Sequence, residues 1–189
     1  ISTWDISHVT DMRYMFMNAP SCNGNLSKWD VSSVTNMCGM FTSATSFSSD
    51  ISKWDVSRVR DMEGMLSFTP FNGELSKWDV SRVTDTSRMF MQAALFNGDI
   101  SIWDVSRVVS MDEMFVSAVS FKQKLCGAAW VRSKASKKNM FEGSFGSICP
   151  TTTASSSTAE LKTAVDGCLR LSPLSDCSNG PHGPIGEWD

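Results

Sequence analysis

Five aspartates are the residues here whose type and spacing best suit chemistry. Asp5, Asp30, Asp55, Asp79 and Asp104 each follow a tryptophan and recur at an almost constant pitch, the third interval being one residue shorter than the rest. Carboxylates at a constant pitch admit three readings. Each can accept hydrogen bonds from the Ser two residues on and from backbone amides, with Lys28, Lys53, Lys77, Arg58, Arg82 and Arg107 offsetting the charge. Adjacent carboxylates and hydroxyls can instead supply oxygen ligands for calcium. The column can also form a ligand-binding ladder on the concave face. The Arg58, Arg82 and Arg107 stripe reads as a solvated face that neutralises it, and can also dock an acidic partner or sulfated glycan. A second column, Asp11, Asn36, Asp61 and Asp85, precedes apolar residues and reads as capping. For catalysis the chain offers two histidines, His8 and His182, neither beside an identifiable nucleophile. There is no phosphate-binding glycine loop and no zinc-type Cys/His spacing. The expectation is a non-enzyme without a cofactor.

The elements that must position these carboxylates follow from the repeat. After each Trp-Asp pair comes Val-Ser or Ile-Ser, then Val at 9, 34, 59, 83 and 108. Met stands at 12, 37, 62 and 111, with Thr86 in the fourth copy, and a second Met-Phe or Met-Leu begins at 15, 40, 65, 89 and 114. Ala or a substitute and a closing Phe complete the copy. Ile51, Trp54 and Val56 match the apolar core of a leucine-rich repeat, and Lys53–Ser57 alternates as a short strand would. Met-x-x-Met-Phe-x-x-Ala after a capping residue signals a short helix or 3₁₀ turn. Phe71-Asn72-Gly73 and Phe96-Asn97-Gly98 signal turns. One such copy cannot bury its apolar edge alone, but stacked copies can. The predicted fold is an α/β repeat: a right-handed solenoid of short parallel strands and short helical turns, with all five tryptophans buried in one row.

The predicted organisation is five repeats over 1–124, a degenerate capping repeat over 125–149, a Ser/Thr linker over 150–158, and a helical, cysteine-bearing segment over 159–189 that opens a further array at Trp188-Asp189. The cap contains the basic run Arg132, Lys134, Lys137 and Lys138, and its Met140-Phe141 reads as an echo displaced by an insertion of about half a turn. Cys126 and Cys149 stand nearly one copy apart, which brings them within disulfide range. Cys168 and Cys177 suit a local staple. Cys22 falls in a Phe column and Cys38 in an outward column shared with Arg13, so those two are expected to stay reduced. Two disulfides favour an oxidising compartment. Asn25-Leu26-Ser27 is a glycosylation sequon. A net charge of −3 argues against nucleic acid as a partner, as does the lack of outward stacking aromatics, and no apolar run reaches membrane-spanning length.

The full motif, Ile-Ser-x-Trp-Asp-Val-Ser-x-Val-x-Asp-Met-x-x-Met-Phe-x-x-Ala-x-x-Phe-Asn-Gly, resembles the surface-protein leucine-rich repeats of mycoplasma lipoproteins and of BspA-like bacterial antigens, also abundant in marine microalgae. Residues 1–121 carry the resemblance well and 122–149 loosely, while 159–189 looks like the lead-in to such arrays. The resemblance implies a secreted or cell-surface location and a role in adhesion or assembly, with no enzymatic activity and no binding residues to transfer. The expected function is a structural scaffold of a larger protein, whose partners are copies of itself or other protein subunits. The alternative is an adhesive or receptor-like module for a discrete protein or glycan. The outward Asp and Ser hardly change between copies, which suits a periodic partner better than a ligand read differently by each copy.

Overall fold

Backbone hydrogen bonds decide how the copies meet. The computed structural model describes residues 1–151, so the expectations for Cys168, Cys177, the linker beyond Thr151 and the helical segment lie outside the described residues. In the second copy, alternate amides donate to the third: Met37 to the Asp61 carbonyl, Gly39 to Glu63, Phe41 to Met65 and Ser43 to Ser67, at 2.7–3.0 Å. The amides between them stay local, Met40 donating to the Met37 carbonyl, Thr42 to Gly39 and Ala44 to Phe41, at 2.9–3.2 Å. The alternation recurs from copy to copy, so each copy lies over the next in a parallel register.

This arrangement is not the expected short helix; its local bonds keep the three-residue span of the alternative 3₁₀ turn, but its positive-φ residues do not belong to one. A helix spends nearly every amide on its own carbonyl four residues back and leaves none for a neighbour. Here tandem tight turns divide the donors between the two. The first and last of these three turns place their third residue at positive φ, as a type II turn requires. Such residues occur in pairs four apart: Tyr14 and Asn18, Gly39 and Ser43, Gly64 and Phe68, Arg88 and Gln92, Glu113 and Ser117, Asn139 and Gly143, with φ between 53° and 72°.

The inter-copy bridges also sit elsewhere than expected. They run Asp11, Asn36, Asp61, Asp85, Ser110 and Ser136, all parallel, and do not involve Lys53–Ser57. The chain at Trp54 still alternates, with Trp54 and Val56 buried and Lys53 and Asp55 exposed. Its amides, however, are consumed within the copy. Trp54 donates to the Ile51 carbonyl, Val59 to Val56, and Ser57 to the Asp55 carboxylate.

Columns of like residues form the core between the two sides. Trp29, Trp54, Trp78 and Trp103 are at most 5% exposed. Their rings stack where adjacent pairs are in contact, with centroids 6.4 Å apart for Trp29–Trp54 and 6.5 Å for Trp78–Trp103. Each indole N–H donates to a carbonyl of the preceding copy: Trp54 to Leu26, Trp78 to Ile51 and Trp103 to Leu75, at 2.9–3.1 Å. Trp4 continues the row, stacked on Trp29 at 6.4 Å, but departs from the predicted burial and is 52% exposed, because Trp29 covers it from one side. A sixth member was not anticipated. Trp130 is fully buried and donates to the Ile100 carbonyl at 3.0 Å. Phenylalanines make parallel columns, Phe90–Phe115–Phe141 at 5.5 Å spacing among them.

The capping copy holds the regular elements among the described residues: β1 (Lys124–Leu125), α1 (Ala128–Arg132) and β2 (Ser147–Ile148). Strands β1 and β2 pair in parallel, Leu125 opposite Ile148. The next residues, Cys126 and Cys149, form the predicted disulfide with their Cα atoms 4.8 Å apart, the spacing of neighbouring strands. Met140-Phe141 is not displaced by half a turn. The Phe115 amide donates to the Met140 carbonyl, which keeps the cap in register with the copy before it, and α1 absorbs the extra chain ahead of Trp130. Gly127 opens α1 where a Cβ would collide with the Ser101 carbonyl oxygen. Cys22 and Cys38 are free thiols. Cys38, assigned outward from sequence, is buried: its neighbour Gly39 has no side chain, and the Tyr14 ring lies over that space.

Gly64→Ala forces a methyl group into the left-handed region with no close packing partner, and should lower stability by about 1 kcal/mol in denaturant titration. Unchanged stability would argue against the turn geometry. Replacing both Cys126 and Cys149 with Ser should cost about 3 kcal/mol. Hydrogen exchange should locate that loss in the cap and leave copies two to four protected.

Candidate functional site

The Asp column is built by a local device used in every copy. Each carboxylate accepts the amide of the Ser two residues ahead: Ser7 to Asp5, Ser32 to Asp30, Ser57 to Asp55, Ser81 to Asp79 and Ser106 to Asp104, at 3.0–3.1 Å. The hydroxyls of Ser7 and Ser32 add bonds of 2.7 and 2.6 Å. This is an Asx turn, for which the Asp-x-Ser spacing suffices. The Ser hydroxyl, then the Ser amide, hold the carboxyls of Asp5, Asp30, Asp79 and Asp104 below the usual carboxylate range. Arg82 and Arg107 contribute to the lowering at Asp79 and Asp104. All five aspartates are exposed.

The same device recurs at two further positions of the repeat, in three copies at one and four at the other. Four residues before the tryptophan, Asn25, Asp50 and Asp99 accept the amides of Ser27, Ser52 and Ser101 at 2.9–3.0 Å. In the second predicted column Asp11, Asn36, Asp61 and Asp85 accept the amides of Arg13, Cys38, Glu63 and Ser87 at 2.8–3.0 Å. Capping is therefore the right local interaction for that column, but it caps a tight turn, and the same residues carry the bridges between copies.

The other predicted residues do not converge on one point. Arg58, Arg82 and Arg107 are exposed in successive copies, and none takes part in the ion pairs found among the described residues. His8 is exposed near Asp5. Asn25, in the sequon, is exposed, with its side-chain oxygen held by the Ser27 hydroxyl at 2.6 Å. Among the described residues no three of His, Cys, Asp and Glu come together as a metal-holding group. The pentad named for calcium is instead a row, each member turned toward its own Ser.

Two features escaped the reading of the sequence. Arg88 bridges Glu63 and Glu113 at 3.1 and 3.0 Å, linking three copies. Its partners sit one copy before and one copy after it, so a search for opposite charges at the repeat spacing would have found the cluster. The asparagines of the Phe-Asn-Gly segments do not simply mark turns. The Asn72 side chain accepts the Asn97 amide, and that of Asn97 accepts the Lys122 amide, at 2.9 and 3.0 Å.

A family model described as Mycoplasma protein of unknown function, DUF285, matches this chain twice, over residues 1–70 and 67–148. No curated protein and no solved structure matches it. No helix among the described residues is long and apolar enough to cross a membrane.

The geometry separates two substitutions at one residue. Asp79→Asn keeps an acceptor for the Ser81 amide but loses the charge, and should lower the melting temperature at neutral pH by less than Asp79→Ala, which should lower it by about 2–4 °C. Because the folded carboxyl titrates below its unfolded value, its contribution is complete above the unfolded pKa near 4 and is lost as pH falls through the lower folded value. The difference between wild type and Asp79→Ala should accordingly shrink only in that acid window.

Proposed function

We propose, starting from the fact that the chain belongs to the family described as Mycoplasma protein of unknown function, DUF285, that it is a non-enzymatic repeat scaffold. In this reading it is a right-handed solenoid related to leucine-rich repeats, placed in a secreted or cell-surface setting, and it works through protein–protein assembly. One observation carries the proposal. Every copy presents the same Ser-locked carboxylate in the same orientation, so the outward surface is periodic rather than shaped around one ligand. A periodic surface suits a partner that repeats or an assembly of like subunits. Its carboxylates are held by local bonds, which leaves little side-chain entropy to lose on contact. The Cys126–Cys149 bond supports an oxidising, extracellular setting.

A second reading rests on the Arg58, Arg82 and Arg107 row, which is exposed and outside the observed ion pairs. It makes the chain an adhesive or receptor-like module for an acidic protein or sulfated glycan. Cross-linking followed by sizing of the protein in its native source separates the two readings. The scaffold reading expects a particle several times the mass of one chain. A monomer in the native source, together with retention on a sulfated glycan that is lost in Arg58→Ala/Arg82→Ala/Arg107→Ala, would replace it with the second.

A further inference from the structure

Asn25 uses only one of its two polar side-chain atoms to hold its turn. The oxygen accepts the Ser27 amide at 3.0 Å and the Ser27 hydroxyl at 2.6 Å. The nitrogen, Nδ2, has no hydrogen-bond partner among the described residues, and the residue is exposed. Later copies place Asp50, Glu74 and Asp99 at this position, all exposed. Asp50 and Asp99 accept the amides of Ser52 and Ser101 with a carboxylate oxygen at 2.9 Å. Closing the turn therefore takes an oxygen and no amide nitrogen. What asparagine adds over aspartate at this position is Nδ2, and the fold leaves that atom free.

Asn25-Leu26-Ser27 is also the Asn-x-Ser pattern at which secreted proteins receive N-linked sugar, and no other asparagine of the chain has Ser or Thr two residues on. A folded chain can carry such a sugar only where Nδ2 faces open solvent. Two nearby asparagines show what would obstruct it. Asn36-Met37-Cys38 has a thiol where the pattern has a hydroxyl. There Nδ2 donates to the Asp61 carboxylate at 3.3 Å, and the residue is half-buried in the bridge to the next copy. Asn23 spends its Nδ2 on the Ser48 hydroxyl at 3.1 Å, across to the next copy. Of these three, Asn25 alone combines the pattern, an exposed side chain and an uncommitted nitrogen.

We propose that Asn25 carries an N-linked oligosaccharide. The donor is an oligosaccharide joined through its anomeric carbon to a lipid pyrophosphate. The bond from Nδ2 to that carbon forms as the bond from the carbon to the pyrophosphate oxygen breaks. The lipid pyrophosphate leaves with the electron pair, and Nδ2 gives up one of its two protons. The modified side chain keeps its oxygen, so both bonds from Ser27 survive and the turn is unchanged. Compartments that supply such donors to secreted proteins also let disulfides persist, as Cys126–Cys149 does. The proposal rests on the secreted or cell-surface setting proposed above and not on the scaffold role.

Mass spectrometry of the protein from its native source tests it. The tryptic peptide Tyr14–Lys28 contains Asn25, and electron-transfer fragmentation leaves a sugar on the residue that bears it. The peptide should be heavier by an oligosaccharide placed on residue 25, and an amidase specific for N-linked sugar should abolish the shift. Asn25→Asp and Ser27→Ala, expressed in that source, should each lose the whole shift, whereas Ser27→Thr should keep it. Asn25→Asp retains the oxygen that closes the turn, so it should still form the Cys126–Cys149 bond and melt cooperatively. An unmodified Asn25 in chains whose Cys126–Cys149 bond is formed would overturn the site and leave the setting standing. An unmodified Asn25 in chains with those cysteines reduced would overturn both. A sugar on Ser27 or Asn36 in place of Asn25, or a shift that survives Ser27→Ala, would overturn the assignment.

Discussion

Backbone donors are divided between a residue's own turn and the next copy, and every other feature of the stack rests on that division. Half of the amides in the Met-rich segment close tight turns and half reach across to the neighbouring copy. Neither half suffices alone. Turns without the cross-links would leave each copy a loose loop, and cross-links without the turns would leave the chain no way round the core. The alternation requires a residue at positive φ twice per copy, and most of those positions hold side chains other than glycine. That backbone cost of roughly 1–2 kcal/mol per residue is offset by pairing with both neighbours and by the buried columns beneath.

The tryptophan column and this ladder reinforce each other. An indole buried without a partner for its N–H would lose much of what its burial contributes. Each buried tryptophan here reaches a carbonyl of the preceding copy, and that bond is available only at the correct register. A slip of one residue would break the indole bonds and turn the alternating segment inside out. The third interval, one residue shorter than the others, is tolerated because the missing residue falls ahead of Phe71, away from both ladder and indole. The cap tolerates its extra residues in the same way, by folding them into α1.

Serine-locked carboxylates explain how so many like charges can lie in rows. Each Asp turns an oxygen toward the amide of its own copy's Ser, and at Asp5 and Asp30 toward the hydroxyl as well, so local bonds hold the carboxylate before any neighbouring aspartate acts on it. Where the columns reach the cap, lysines replace the acids and amides: Lys124 follows Asp99, Lys122 follows Asn97, and Lys138 follows Asp112. The Lys138 amide is itself bonded to Asp112 at 2.8 Å, and its charge helps hold that carboxyl low. The sixth copy thus differs from the others in the sign of its outward charge and in carrying a disulfide.

Much of this was legible in the residues themselves, and the reason is physical. A near-constant copy length specifies which residues share a column, and Asp-x-Ser specifies its own turn, because both depend only on spacing along the chain. The Cys126–Cys149 pairing was legible for the same reason, since its separation is nearly one copy. The secondary structure within a copy was not. Met-x-x-Met-Phe-x-x-Ala has the apolar spacing of a helix, but two consecutive tight turns can present nearly the same side chains to the core. Which of them forms depends on whether the neighbouring copy claims the amides, and that competition is invisible in one copy read by itself. The same holds for Trp130, which lacks the following Asp that marks the other tryptophans, and for Cys38, which is buried by a tyrosine one copy earlier in the chain. Local pattern set what each residue can do, and stacking set which of those options was taken.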